Sequence, residues 1–125
     1  SQLTYHVDLS GYDVVTAVPS HGRTLRQRGY NQAEILARSV AKGTSLPYRA
    51  TLLRTAHTSQ TQLRRSQRLE AVKSNFVCYN PRDVVSQRVL IVDDVMTTGA
   101  TMNECARMLK AAGAKQVWGL VVAKK

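Results

Sequence analysis

Two adjacent carboxylates, Asp93 and Asp94, come directly after four apolar residues, Val89 to Val92. Three of these four are β-branched, which is typical of a buried strand in a parallel sheet. Polar residues at the carboxyl end of such a strand lie where α/β proteins bind their ligands. Carboxylates in that position can accept hydrogen bonds from sugar hydroxyls or hold a hydrated Mg2+. We therefore treat the acidic pair as candidate ligand-binding residues.

A run of small residues separates the acidic pair from a predicted helix that starts near Met102. Small side chains let the backbone approach a ligand closely, and a glycine here can take a positive φ. Backbone N–H groups and the N-terminus of a helix then favour an anion. A ribose 5-phosphate would suit both the turn and the acidic pair, because its phosphate can bind in the turn and its hydroxyls can bind the carboxylates. The residues of this candidate phosphate turn are Thr97, Thr98, Gly99, Ala100 and Thr101.

Two other interpretations of this stretch compete with a phosphate site. An ordinary helix start would use Thr101 as the N-cap with Glu104 three residues later, which is the spacing of a capping box. A Walker A loop is excluded because the sequence contains no Gly-Lys-Ser or Gly-Lys-Thr. A resemblance to a known family covers thirteen ordered positions, residues 89–101, and it favours the ligand site over this more generic capping pair.

Residues 89–101 resemble the thirteen-residue phosphoribosyl pyrophosphate (PRPP) signature of type I phosphoribosyltransferases. The resemblance implies that Asp93 and Asp94 bind the ribose hydroxyls and that residues 97–101 bind the 5-phosphate. It also implies transfer of the phosphoribosyl group to a nitrogen acceptor with release of pyrophosphate, and Mg2+ bound with the substrate. The sequence does not identify the acceptor.

A second candidate loop follows the predicted strand Val14–Val18 and begins at Pro19. In a parallel sheet this loop lies at the same edge as the acidic pair. Arginines follow it, and their guanidinium groups suit phosphate oxygens. Val18-Pro19, His21 and Arg28-Gly29-Tyr30-Asn31 resemble the amino-terminal motif of the ComF (competence protein F) branch of the phosphoribosyltransferases. The resemblance implies a pyrophosphate site made by Ser20, His21, Gly22, Arg23 and Arg28.

The polar and basic segment 57–68 allows two interpretations from its residues alone: a mobile loop that closes over a substrate, or a basic surface helix. Composition favours the surface helix. The resemblance favours a catalytic loop, because Gln60 and Arg68 fall at positions that the ComF branch prefers. Ala71 departs from the pattern, since that branch commonly has Asn there.

The positive charge of the chain is large and uneven. The sequence has 18 Lys and Arg against 8 Asp and Glu, a net charge of +10, and residues 21–73 hold eleven of the bases and two of the acids. Such a surplus favours a polyanionic partner, either a pyrophosphate-bearing substrate or nucleic acid. A non-catalytic PRPP or nucleotide sensor and a DNA-associated or competence-machinery protein therefore remain alternatives to an enzyme.

Strands alternate with helices along the chain, which predicts an α/β domain over residues 1–125 with a mostly parallel sheet flanked by helices, the type I phosphoribosyltransferase-like fold. Asn31 starts a predicted helix that Gly43 closes, and Gly113 ends the second helix. Further strands are predicted within 47–55 and 76–79, and a final buried strand over 117–122.

Three further expectations concern metals, compartment and assembly. The family's amino-terminal zinc-binding segment is absent from residues 1–125, and no side-chain metal site is predicted because the histidines are scattered (His6, His21 and His57). Cys78 and Cys105 are expected to be buried free thiols. Without a signal peptide or an apolar span, a cytoplasmic protein with no membrane partner is expected. The sequence leaves the oligomeric state open, a homodimer included.

Overall fold

The computed structural model of the chain describes residues 11–20, 26–27, 29–54, 75–94 and 99–121. Strands and helices follow one another in these residues in the predicted order. The elements are β1 (Val14–Ala17), α1 (Gln32–Thr44), β2 (Leu52–Arg54), β3 (Phe76–Cys78), a short 3-10 helix (Pro81–Asp83), β4 (Arg88–Asp93), α2 (Ala100–Ala111) and β5 (Gln116–Val121).

Strand β4 lies at the centre of a parallel sheet with the order β1-β4-β5. Val14 pairs with Val89 and Ala17 with Val92, so β1 and β4 run side by side to the same edge. On the other side of β1, Tyr48 forms a parallel bridge with Val15. The chain then continues into β2, which pairs with β3 in the antiparallel direction. The predicted α/β fold, a mostly parallel sheet flanked by helices, is confirmed.

The two helices cover opposite faces of the sheet because strand residues alternate between the faces. Helix α1 presents a narrow alanine stripe at helical spacing, which packs on one set of strand residues. That cluster contains Ala33, Ala37, Ala41, Val15, Ala17, Leu90 and Val92. Helix α2 packs larger side chains on the other face, in a cluster that includes Met102, Cys105, Met108, Leu109, Val14, Val89 and Ile91. The sheet edge is therefore held from both sides.

A buried hydroxyl pair ties β1 to the segment that precedes β2. Thr16 and Thr51 are almost fully buried, and their Oγ1 atoms lie 2.8 Å apart in a hydrogen bond. Each hydroxyl thereby gains the partner that a buried polar group requires. The pair fixes the side-by-side position of the two segments whose carboxyl ends approach the site.

The ends of the helices confirm one glycine prediction and contradict the other. Gly113 follows α2 with a φ of 109°, as predicted for a residue that ends a helix. Gly43 does not close α1: the helix continues to Thr44, and Ser45 takes the left-handed conformation with a φ of 61°. The reason is that Ala41 still packs in the core, so the last turn stays helical beyond the exposed Gly43. In the described part of the chain, neither helix is long and apolar enough to cross a membrane.

The prediction of a buried final strand is wrong for β5. Trp118 is 59% exposed, and every residue of the strand is either half-buried or exposed. Helix α2 covers one face, where Met102 approaches Gly119 closely. On the other face Trp118 lies beside Leu90, and Leu120 packs against the α1 cluster, but α1 packs mainly on β1 and β4.

The prediction for the cysteines is confirmed. Cys78 and Cys105 are both buried free thiols, on β3 and α2. Burial raises the pKa of Cys105 to about 12, which keeps its thiol protonated and unreactive at neutral pH.

Candidate functional site

The parallel pairing of β1 and β4 brings the two predicted ligand-binding segments together. The N–H of Val18 donates to the carbonyl of Val92 over 3.0 Å, one residue beyond the last register pair of these strands. Pro19 and Ser20 therefore leave the sheet next to the point where Asp93 and Asp94 leave it. This is the edge at which the sequence places a ligand.

Asp93 is partly buried, and its ionised form is disfavoured by this burial. Its Oδ1 accepts a hydrogen bond from the N–H of Asp94 over 2.8 Å. The pKa of Asp93 is raised to about 6, chiefly by burial and also by the neighbouring Asp94, against the lowering effects of the Asp94 N–H and of the Arg54 charge. A ligand that offers hydroxyl donors or a cation would stabilise the ionised form.

The phosphate turn meets α2 at Gly99, whose φ of 82° is the left-handed value that glycine accommodates. Gly99 is the N-cap, and as a glycine it has no side chain that could cap the helix. The capping-box interpretation is wrong, because Thr101 already lies inside the helix and Glu104 is paired with Arg107 (Oε1 to Nε, 2.9 Å). Since first-turn N–H groups have no acceptor within their own helix, this start of α2 suits an anion.

Two side chains hold the start of the second loop. Asn31 donates from Nδ2 to the Val18 carbonyl over 3.2 Å, and its Oδ1 accepts a hydrogen bond from the Ser20 hydroxyl over 2.7 Å. Arg54 donates from Nε to the Pro19 carbonyl over 3.0 Å. Three consecutive loop residues are thus fixed by a helix cap on one side and by the end of β2 on the other.

Asn31 also starts α1, as predicted. Its Oδ1 accepts from the N–H of Ala33 over 3.1 Å, so one amide oxygen serves both the helix and Ser20. Glu34, three residues after Asn31, pairs with Arg38, one turn along the helix, at 2.9 Å. Arg38 in turn stacks over the ring of Tyr48.

The described site residues lie at one edge of the sheet. Ser20 follows β1, Asp93 and Asp94 end β4, and Gly99, Ala100 and Thr101 start α2. The other predicted site residues lie outside the described residues: His21, Gly22, Arg23, Arg28, Gln60, Arg68, Thr97 and Thr98. The three histidines lie outside them as well.

Arg54 is a site residue that the sequence analysis missed. It is the last residue of β2, and its guanidinium lies 4.8 Å from the centre of the Phe76 ring while Nε contacts Pro19. The signal was present, because Arg54 is a polar residue near the end of a predicted strand, just as Asp93 is.

A cavity of about 560 Å³ lies beside Arg54 and the start of the loop. Among its described lining residues are Pro19, Ser20, Tyr30, Tyr48 and Arg54. Asp93 and Asp94 do not line this cavity.

The acidic pair fits a cation that is held chiefly by a substrate. The described residues contain no group of three or more His, Cys, Asp or Glu side chains that could enclose a metal ion. Mg2+ does not require such a cage, since it commonly takes one or two carboxylates together with substrate phosphates and water. Asp93 and Asp94 supply the carboxylates that this type of site needs.

Comparison with known proteins agrees with this geometry. The model of a family described as the phosphoribosyl transferase domain matches residues 20–125. Competence protein F of Haemophilus influenzae is 33% identical over 113 residues, which cover 86% of this chain and 49% of that protein. DNA utilization protein YhgH of Salmonella typhi is 33% identical over 112 residues, covering 86% and 48%. The chain therefore spans about half the length of these relatives.

A solved structure shows the same fold. The glutamine phosphoribosylpyrophosphate amidotransferase from B. subtilis, complexed with ADP and GMP, is similar with a TM-score of 0.64 and 27% identity. The similarity covers 94% of this chain and 23% of that one. The resemblance to ComF proteins and the predicted fold are both confirmed by these comparisons.

The raised pKa of Asp93 predicts that this carboxylate destabilises the protein at neutral pH. The carboxyl group of Asp93 has an ordinary pKa of 3.8 in the unfolded chain and a pKa of about 6 in the folded protein. The destabilisation by its charge is therefore absent below about pH 4 and complete above about pH 6. A shift of this size corresponds to at most about 3 kcal/mol, and we expect about 1–2 kcal/mol after solvent screening. Asp93→Asn should therefore raise the free energy of unfolding at pH 7 and have little effect at pH 4, as measured by urea titration.

Asp13, which pairs with the first residue of β4, provides a matched control. Neutralising this carboxylate should change the stability at pH 7 in the opposite direction. A bidentate pair with Arg88 (Oδ1 to Nη2, 3.0 Å) lowers the pKa of Asp13 to about 2, so its stabilisation is present above about pH 4 and lost in stronger acid. Asp13→Asn should lower stability at pH 7. A loss of stability at pH 7 in both variants would contradict the claim that the ionised carboxylate of Asp93 destabilises the fold.

Proposed function

Because this chain belongs to the phosphoribosyl transferase domain family, we propose that it binds PRPP and transfers the phosphoribosyl group to a nitrogen acceptor with release of pyrophosphate. The observation that supports this most is that an acidic strand end and the glycine start of a helix lie at the same edge of the sheet. Donors or a cation would stabilise the ionised form of Asp93, and the start of α2 at Gly99 favours an anion. A sugar phosphate presents both kinds of group.

Each part of the substrate has a proposed partner in the chain. Asp93 and Asp94 accept hydrogen bonds from the ribose hydroxyls, and residues 97–101 bind the 5-phosphate. Ser20 to Arg23 and Arg28 bind the pyrophosphate, and Gln60 and Arg68 belong to the segment that covers it. Catalysis then rests on orientation and charge, since the transition state at C1 carries oxocarbenium character and the leaving group gains negative charge.

Mg2+ bound with the substrate would neutralise charge on the departing pyrophosphate. Of this chain, Asp93 and Asp94 are the described residues that would hold it, directly or through water. The chain's own contribution is to keep the ribose and the pyrophosphate in fixed relative positions at the sheet edge, through the β1–β4 pairing and the Asn31 contacts.

Calorimetric titration with PRPP and Mg2+ tests the phosphate site through Thr101→Glu. Thr101 is exposed in the first turn of α2, where a carboxylate favours the helix by about 0.3–1 kcal/mol but repels a phosphate. We expect the melting temperature to be kept or raised and PRPP affinity to fall by roughly tenfold or more, ~1.4 kcal/mol.

Ala111→Glu is the matched control, because Ala111 is exposed at the opposite end of the same helix, about 15 Å away. It adds the same charge to the protein and should leave PRPP affinity unchanged. If both variants and the wild type have equal affinities for PRPP, the start of α2 is not part of the binding site. A screen for pyrophosphate release across nitrogen bases then separates an enzyme from a PRPP sensor.

Nucleic-acid binding is a second candidate function, favoured by charge. The net charge is +10, and the exposed basic residues of the described part include Arg26, Lys42 and Arg49. Relatives of the chain carry the names competence protein and DNA utilization protein. A surface of this kind attracts a polyanion without reading its sequence.

Competition distinguishes the two functions. If DNA binds loosely through a basic surface, the logarithm of the observed binding constant should fall linearly with the logarithm of the salt concentration. The slope should be about −0.9 for each phosphate that the protein neutralises. PRPP binding should engage few charges and depend on Mg2+. We expect PRPP with Mg2+ to displace duplex DNA only if DNA occupies the proposed PRPP site, as measured by fluorescence anisotropy. Tight salt-sensitive DNA binding with no PRPP binding would favour the nucleic-acid function over the enzyme.

A further inference from the structure

Arg54 joins the two halves of the site, although it lies far from both in sequence. Its Nε donates to the Pro19 carbonyl across 35 positions of the chain, at 3.0 Å. Its guanidinium is stacked on Phe76, 4.8 Å from the ring centre. A planar guanidinium that is stacked on one face and hydrogen-bonded at Nε has little freedom left to rotate.

Arg54 is also linked to the strand that carries the acidic pair. Phe76, on which Arg54 is stacked, packs in the same core cluster as Ile91 of β4 and Cys105 of α2. The positive charge of Arg54 also acts to lower the pKa of Asp93, against the effect of burial. Arginine suits this place because it is always charged and offers donors in a fixed plane.

We propose that Arg54 is a positioning residue that holds the start of the loop at Pro19 and Ser20 at a fixed place relative to Asp93, and so sets the pyrophosphate half of the substrate against the ribose half. This inference rests on the proposed function. The hydrogen bond to Pro19 fixes the peptide that leads into Ser20, and Asn31 holds the far side of Ser20. The loop is thus oriented from both sides before a ligand arrives.

PRPP and ribose 5-phosphate differ only in the pyrophosphate group. A comparison of their affinities therefore distinguishes a positioning role of Arg54 from a general effect on the stability of the protein. Arg54→Gln should lower the affinity for PRPP with Mg2+ by about tenfold or more and that for ribose 5-phosphate by about threefold or less. Arg54→Lys keeps the charge but lacks both the Nε donor and the stacking plane, so it should recover only a minor part of the loss. Arg49→Gln removes an exposed arginine that contacts the Tyr48 carbonyl, and it should match the wild type.

Equal losses for both ligands in Arg54→Gln, or full recovery by lysine, would overturn the positioning role. A readout without ligand keeps this test separate from that of the proposed function. In the ligand-free protein, Arg54→Gln and Arg54→Lys should shift the carbonyl ¹³C resonance of Pro19 and lower the order parameter of the Ser20 amide, whereas Arg49→Gln should change neither. If the wild type fails to bind PRPP, the proposed function is wrong, and the Pro19 and Ser20 signals alone decide whether Arg54 orders the loop.

Discussion

The parallel pairing of β1 with β4 is the interaction on which the rest of the site depends. Its register places Val18 beside Val92, so the loop after one strand starts next to the carboxylates that end the other. The alanine face of α1 and the larger side chains of α2 bury this pairing from both sides. A shift by one residue would move every strand side chain to the opposite face, so the core fixes the site geometry.

The candidate site contains a carboxylate, Asp93, whose charge destabilises the folded protein. Burial raises the pKa of Asp93, and the charge of Asp94 beside it raises this pKa as well, so the ionised form of Asp93 opposes the stability of the fold. At the other end of β4, Arg88 compensates Asp13 fully through two side-chain contacts. This contrast between the ends of one strand is typical of a structural ion pair at one end and a ligand site at the other.

Much of the fold could be predicted because apolar periodicity decides which residues are buried. The strand over Val89 to Val92 and the positive φ of Gly99 are direct consequences of residue type. The burial of β5 could not be predicted, since whether α1 reaches Trp118 depends on how far the helix extends over the sheet. Arg54 was missed for a related reason: its contacts with Pro19 and Phe76 exist only once three strands have assembled.

The most direct measurement of the central claim is an amide ¹H–¹⁵N NMR titration of the chain with PRPP and Mg2+. The account predicts that the largest shifts fall on Ser20, on Asp93 and Asp94, and on Gly99 to Thr101, three segments that are separate in sequence and meet at one sheet edge. Ribose 5-phosphate should reproduce the shifts of Asp93 to Thr101 and leave Ser20 largely unchanged. Shifts confined to exposed basic residues such as Arg26, Lys42 and Arg49, or no shifts at the end of β4, would contradict a PRPP site at this edge.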